Sequence, residues 1–295
     1  MSGQSTKIDQ LSCAIILGYK DGQHYLNQQI ESILDQSHSN ISLIIFDDAS
    51  KIKIEKKVIK KFADQIDLMW INRPKNLGYC KNFLNGLSLV SDSYDYFAFS
   101  DQDDLWHKDK LERAITHLNN VPAAKPAMYC SRTEIVDHNG KSIGLSPHFR
   151  KLPTFANALI QNIGGGNTMV MNRASRNLVV ETCKEADLIS HDWWTYMIVA
   201  GAGGYVHYDS NPSLKYRQHE TNVIGSNIGL LSKIDRTLKL FHGDLKKWND
   251  VHTDALNKNI GYLTPENVEI LHSFNRLRKE GLLHKLIGVR QQRVH

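Results

Sequence analysis

The sequence predicts an α/β protein built on a mostly parallel sheet, and three observations carry that reading. Short apolar runs recur at residues 12–17, 41–46, 66–71 and 94–100. Stretches with apolar residues at helical spacing lie between them. Three of the runs end in the polar or flexible residues expected at a ligand-binding sheet edge: Gly18-Tyr19, Asp47-Asp48 and Asp101–Asp104.

The first run, SCAIIL, stops at Gly18, and residues 25–36 follow as a helix with Leu26, Ile30, Ile33 and Leu34 on one face. The second run, ISLIIF, is closed by Asp47, Asp48, Ala49 and Ser50. A lysine-rich helix over 51–61 leads to the third strand at 66–71. Residues 76–90 place Phe83, Leu84 and Leu87 at helical spacing before the fourth strand. This alternation implies βαβ units, whose parallel strands bind ligands beyond their carboxyl ends. A helix is expected over 108–118, with Asp104 as its cap.

The second half is less regular. Residues 128–132 and 134–136 read as strand segments before an Asn139-Gly140 turn. Gly164, Gly165 and Gly166 precede a strand-like run at 168–171. Helices are expected over 173–187 and 195–200, the second ended by Gly201, Gly203 and Gly204. Short strands follow at 205–208 and 214–216, and from 228 onward the pattern is helical and increasingly basic. No repeat or low-complexity linker interrupts the chain. The expected organisation is one main domain over 1–225 with a helical extension over 226–295.

Composition bounds the function. The 295 residues suit one large α/β domain, and 41% hydrophobic with 23% charged residues is ordinary for a globular protein. No apolar run reaches the roughly 18 residues of a membrane-spanning helix. The polar start MSGQSTKIDQ lacks a secretory core, and four scattered cysteines without a CxxC pair speak for reduced thiols and against a zinc site. A cytoplasmic protein is expected. Its net charge of +5 includes six lysines against one glutamate over 51–61. Such runs are most simply solvated helix faces, and without clustered aromatics they make a poor nucleic-acid surface, so no nucleic-acid partner is expected.

The densest chemistry lies at Asp101, Asp103 and Asp104, after the apolar run 96–99. If the backbone stays extended, alternation directs Asp101 and Asp103 to one side. Two such carboxylates suit Mg²⁺ or Mn²⁺, with phosphates filling the other positions. An acidic loop leading into the next helix is the other reading of a bare acidic pair.

Six motifs in register resemble family 2 glycosyltransferases of the GT-A fold, nearest to bacterial enzymes of O-antigen, lipopolysaccharide-core or capsule biosynthesis. They are IILGYK from Ile15, IFDDAS from Ile45, NLGYCKN from Asn76, SDQDDLW from Ser100, HDWW from His191 and YRQH from Tyr216. The likeness covers residues 11–225. It implies a Rossmann-like sheet with a nucleotide-sugar half over about 11–120 and an acceptor half over about 121–225. It further implies a divalent metal, Mn²⁺ or Mg²⁺, on Asp103, with His219 completing the shell and Asp101 turned towards the ribose or a metal-bound water. Tyr19, Asp47, Asp48, Asn76, Gly78 and Gln102 fall at donor-binding positions, and an aspartate accepting an imide N–H would favour a pyrimidine base. Lys81 is a phosphate partner or a solvated helix lysine. Gly165 lies in a loop that lets the donor sugar approach, or in a simple tight turn. Arg217 pairs with a phosphate or a site carboxylate.

Inverting transfer requires a base for the acceptor hydroxyl, and the resemblance assigns it to Asp192. Here His191 replaces the family's usual glutamate, which leaves its role open between contacting the acceptor and orienting Asp192. Trp193 and Trp194 offer ring faces to a sugar, with one of the pair expected in the core. The implied reaction moves one sugar from a nucleotide-diphosphate donor, a UDP-hexose or dTDP-rhamnose, to a lipid-linked oligosaccharide or lipopolysaccharide acceptor. The basic, leucine-bearing stretch 274–295 either lies on the anionic inner leaflet or packs on the catalytic domain. A nucleotidyltransferase or a non-catalytic nucleotide-sugar-binding protein is the alternative, although Gly18-Tyr-Lys-Asp-Gly is a weak phosphate loop.

Overall fold

A computed structural model describes residues 8–52, 54, 56–184, 186–218 and 244–279. Strands β1 (Cys13–Tyr19), β2 (Ile41–Asp47), β3 (Asp67–Asn72) and β4 (Tyr96–Ser100) form the predicted parallel core. Helices α1 (Gln23–Leu34), α2 (Lys56–Ala63) and α3 (Tyr79–Leu89) connect them. β1 and β4 are buried along almost their whole length, which is why both read as unbroken apolar runs. α3 starts three residues later than the spacing suggests. Gly78 holds φ +81° there, a conformation that ends the preceding loop and that other residues rarely adopt.

The chain continues through β5 (Leu105–Trp106), α4 (Lys110–Leu118), β6 (Ala127–Ser131), β7 (Glu134–Val136), β8 (Ser142–Leu145) and a short helix α5 (Phe155–Ala158). β9 (Val170–Asn172), α6 (Arg173–Thr182), α7 (His191–Gly201), β10 (Tyr205–Asp209) and β11 (Leu214–Arg217) follow. The main sheet has the order β10-β6-β9-β4-β1-β2-β3, in which β9 alone runs against the others. A smaller sheet has the order β5-β11-β7-β8, and Arg217 of β11 bonds to the loop that follows β4. Apolar clusters fill both faces of the main sheet.

Three expectations are corrected. Asp104 is not a helix cap: α4 begins at Lys110 with Asp109 in the cap position. The helix expected over 173–187 ends at Thr182, with Cys183 in its cap position. The helix expected over 195–200 begins four residues earlier at His191, so the HDWW motif forms its first turn. Every residue of α7 is buried, and a helix enclosed on all sides carries no amphipathic stripe to mark its start.

Helices α8 (Asp244–Lys258) and α9 (Pro265–Lys279) complete the described chain. Ala255, Leu256, Leu263 and Leu271 join the core cluster that contains α7. The described part of the extension therefore packs on the sheet domain. Residues 280–295, which carry much of the basic tail, lie outside the described residues.

Candidate functional site at the carboxyl edge of the sheet

At the end of β2, side chains are committed to holding the backbone. Lys20 Nζ donates to the carbonyls of Asp48 at 2.8 Å and Ala49 at 2.7 Å. The buried Asp48 carboxylate accepts the N–H groups of Leu77 at 2.6 Å and Gly78 at 3.0 Å, which fixes the Asn76–Gly78 turn beside it. Asn76 Oδ1 accepts the same Gly78 N–H at 2.8 Å. Asp47 Oδ1 accepts from Ser50 N–H at 2.8 Å, and its carbonyl receives Arg73 N–H at 2.8 Å. Asp47, Ala49, Ser50, Asn72 and Arg73 line a cleft of about 460 Å³. The Arg73 guanidinium stacks over Phe46 at 4.7 Å, and one terminal nitrogen is buried without a partner. Tyr19, by contrast, points into the core against Trp70, and burial pushes its hydroxyl up to about 12. Lys81 forms an exposed ion pair with Asp187 at 2.8 Å, the solvated alternative of its two readings.

The acidic loop is bent rather than extended, so its geometry rests on clamps and not on strand alternation. Gln102 accepts from Lys20 N–H at 2.7 Å and donates to the Lys20 carbonyl at 3.1 Å, joining this loop to the end of β1. Arg217 is buried. It donates to the carbonyls of Asp103 at 3.2 Å and His138 at 2.9 Å and to Gln28 Oε1 at 2.7 Å, and stacks over Tyr25. Its visible bonds thus support the loop's main chain. Asp101 sits partly buried beside Asp103 and Asp192; burial first, and then those two charges, push its carboxyl up to about 7.

Asp104 turns the other way, into the protein, and is fully buried. It accepts from Asn167 Nδ2 at 2.5 Å. The equally buried Lys110 donates to the Asn167 carbonyl at 3.0 Å and lies 4.5 Å over the Trp106 ring. Burial, and then the charges of Asp103 and Asp101, push the Asp104 carboxyl up, and burial pushes the Lys110 ammonium down to about 7 against the attraction of Asp104. Asn167 belongs to the glycine loop, so this trio joins the acidic loop to it.

That loop in turn meets Asp192. Its Oδ2 accepts Gly166 N–H at 3.2 Å, and its Oδ1 accepts Trp193 N–H at 2.7 Å and the Ser190 hydroxyl. His191 is sealed beneath, stacked on Phe83 at 4.3 Å and edge-on to Phe99 at 4.9 Å, with both ring nitrogens unpartnered. Burial pushes it down to about 4, so it is neutral at pH 7. A side chain on residue 166 would come within 2.3 Å of His191 Nε2, so glycine there serves this packing. A Cβ at Gly165 would meet Asn167 Oδ1 at 2.8 Å. The expectation that one tryptophan faces the site is not met. Trp193 and Trp194 are both core residues, and Trp193 Nε1 donates to the Ala158 carbonyl at 2.7 Å. His191 likewise offers no exposed edge to an acceptor. Tyr79, which the sequence did not single out, donates to the Ile189 carbonyl at 2.7 Å, and burial first, then the charge of Asp192, pushes its hydroxyl up to about 12.

Lys20, Arg73, Ser190, Asn167 and Lys110 were also missed, although Lys20 and Arg73 directly follow strand ends that were recognised. His219 lies outside the described residues. Among the described residues, no three His, Cys, Asp or Glu side chains converge as a metal cage. The acidic loop nevertheless fits a hard divalent cation that takes most of its ligands from a bound phosphate group. Asp101 is crowded by burial and like charge, and a cation beside Asp103 would supply the missing positive charge.

Comparison with known proteins bears on the family and the fold. The chain is 28% identical over 235 residues to the dTDP-rhamnosyl transferase RfbG of Shigella flexneri, covering 73% of this chain and 76% of that protein. It is 29% identical over 173 residues to the UDP-Glc:alpha-D-GlcNAc-diphosphoundecaprenol beta-1,3-glucosyltransferase WfgD of Escherichia coli, covering 58% and 64%. Its fold resembles a Staphylococcus aureus TarS fragment, residues 1–349, in complex with UDP-GlcNAc, with a TM-score of 0.56 at 15% identity, covering 88% of this chain and 84% of that one. A profile described as glycosyl transferase family 2 matches residues 13–178, more than half of the sequence, and the chain therefore belongs to that family of glycosyltransferases.

Proposed function

We propose that this enzyme transfers one sugar, with inversion, from a nucleotide-diphosphate donor to a lipid-linked or lipopolysaccharide acceptor at the cytoplasmic face of the membrane. The observation that carries the reading is the convergence of Asp101, Asp103 and Asp192 from the end of β4 and the start of α7, close enough for Asp103 and Asp192 to raise Asp101. Donors of the UDP-hexose or dTDP-rhamnose type are supported by the activities for which RfbG and WfgD are named, and the lipid-diphosphate acceptor by that of WfgD.

In this reading the cleft beside Asp47 and Arg73 receives the nucleoside. Asp103, with His219 from outside the described residues, would hold a Mn²⁺ or Mg²⁺ ion while Asp101 faces the ribose side, and the ion would supply positive charge against the negative charge of the departing diphosphate. Asp192 Oδ2 takes the proton of the acceptor hydroxyl as its oxygen bonds to the anomeric carbon. The carbon–oxygen bond to the diphosphate breaks on the opposite face. The Ser190 hydroxyl and two backbone N–H groups orient Asp192, so little rearrangement precedes proton transfer. The neutral His191 supports the helix start from below.

Thermal shift with UDP or dTDP, with and without Mn²⁺, is the first test. Stabilisation by nucleotide only when metal is present is expected, and indifference to both would remove the reading. Metal-dependent hydrolysis across a panel of nucleotide sugars then selects the donor. No described helix is long and apolar enough to cross a membrane, so contact with lipid would be peripheral for the described part of the chain.

A further inference from the structure

A second cleft, of about 360 Å³, has a character opposite to that of the acidic loop. His148, Phe149, Arg150, Lys151, Leu152 and Pro153 line it together with Tyr208 and Ser210. Three of these side chains are basic and none is acidic. Arg150 and Lys151 are exposed and have no ion-pair partner among the described residues. The nearest acid at the end of β10, Asp209, is committed to Arg113, to the Tyr129 hydroxyl at 2.8 Å and to Asn211 N–H at 2.8 Å. Leu152 projects beside the basic pair with 84% of its surface exposed. A cationic hollow with an apolar lip matches an anionic group joined to a hydrocarbon.

The position of this cleft ties it to the reaction. β10 and β6 run parallel to β1 and β4, so Tyr208 and Ser210 stand at the same sheet edge as Asp47 and Asp101. Tyr208 holds the loop from both sides: its hydroxyl donates to the Pro147 carbonyl at 3.2 Å and accepts from Phe149 N–H at 3.3 Å. The loop runs on into α5, whose Ala158 carbonyl anchors Trp193, the residue after Asp192. The base and the basic cleft therefore share one support.

We propose that this cleft binds the diphosphate that joins an acceptor sugar to its lipid, with Arg150 and Lys151 taking the phosphate oxygens and Leu152 lying along the first carbons of the chain. The inference rests on the glycosyl-transfer reading and narrows its acceptor to a lipid diphosphate. It also divides the two phosphate-bearing substrates by chemistry. The donor diphosphate meets carboxylates and so needs a metal, whereas the acceptor diphosphate meets cationic side chains and does not.

The test uses farnesyl diphosphate as a probe, measured by calorimetry in EDTA to silence metal-dependent donor binding. The parent protein should bind it, and farnesol should bind at least about tenfold more weakly. Arg150→Glu with Lys151→Glu should weaken the probe at least about tenfold while leaving metal-dependent hydrolysis of the donor unchanged. If that pair does not fold, Arg150→Gln with Lys151→Gln is read in its place. Binding that is undetectable in the parent, or unchanged in the folded variant, overturns the proposal. So does sedimentation with phosphatidylglycerol vesicles that depends on the same residues while farnesyl diphosphate binds no better than farnesol, which would make this face a membrane surface. A parent that hydrolyses no nucleotide sugar counts against glycosyl transfer itself; the calorimetric result is read independently of it.

Discussion

The acidic loop after β4 and the helix start at Asp192 bring carboxylates to one place, yet they are built by opposite means. The loop is bent and half open, and polar side chains clamp its backbone: Gln102 to Lys20, and Arg217 to the Asp103 carbonyl. The start of α7 is closed. His191 lies among Phe83, Phe99 and Gly166, and both tryptophans are in the core. Clamped backbone leaves carboxylates open for a ligand to complete. Aromatic burial instead fixes one group in one orientation with few degrees of freedom. The proposed donor side is thus arranged to be finished by what binds, and the proposed base is finished in advance.

The sharpest way to break this contrast is Asp192→Asn. Transfer should fall by up to about 10⁴-fold while nucleotide affinity, measured by calorimetry with Mn²⁺, stays within about twofold. A parallel loss of nucleotide affinity would move Asp192 to the donor side. Next in size is the buried pair behind the loop. Lys110→Met leaves Asp104 enclosed without its cation and should cost about 3–5 kcal/mol in urea unfolding, much of it recovered by adding Asp104→Leu. If the single change costs nothing, the trio does not brace the two loops. Asp103→Ala should weaken nucleotide binding about tenfold in Mn²⁺ and leave the weaker binding in EDTA unaltered. Equal losses in both conditions would deny it a metal role.

The smallest effect is a pH dependence. The folded protein holds a proton on Asp101 up to about 7, whereas the unfolded chain releases it near 4. Asp101 therefore costs stability as pH rises between those values. His191 and His252, pushed down to about 4 by burial, act in the opposite sense between about 4 and 6.5. The two slopes are separated by comparing the parent with Asp101→Asn in EDTA at pH 5 and pH 7. The variant should gain stability relative to the parent at the higher pH, and a constant difference would mean that Asp101 is not crowded.

What was legible in the sequence follows the same division. β1 to β4 and their polar ends stood out because buried parallel strands are unbroken apolar runs, and charge at their ends is conspicuous. Asp104 was misread because one acidic residue among three looks the same whether it faces solvent, a helix end or a buried lysine six positions on. The hydrogen bond from Asn167 that decides it, with Lys110 bound to the carbonyl of the same residue, arises only from the fold. The tryptophans beside Asp192 suggested sugar stacking for a similar reason: nothing in HDWW says that α7 is enclosed on every side. Ser190 and Asn167 were missed because short polar residues in loops have too many ordinary roles to stand out.

The far end of α7 is held as firmly as its start. Asn267 Nδ2 donates to the carbonyls of Ala200 at 3.2 Å and Gly201 at 2.9 Å, and Thr264 N–H reaches Gly201 at 3.0 Å. Leu263 lies so close that a Cβ on Gly201 would come within 2.6 Å of it. The helix that carries Asp192 is therefore a beam clamped at both ends, one end set by the glycine loop and the other by residues near the start of α9. For anyone shortening this chain, trimming ahead of Leu263 would release a support of the helix that carries Asp192 rather than remove a dispensable tail.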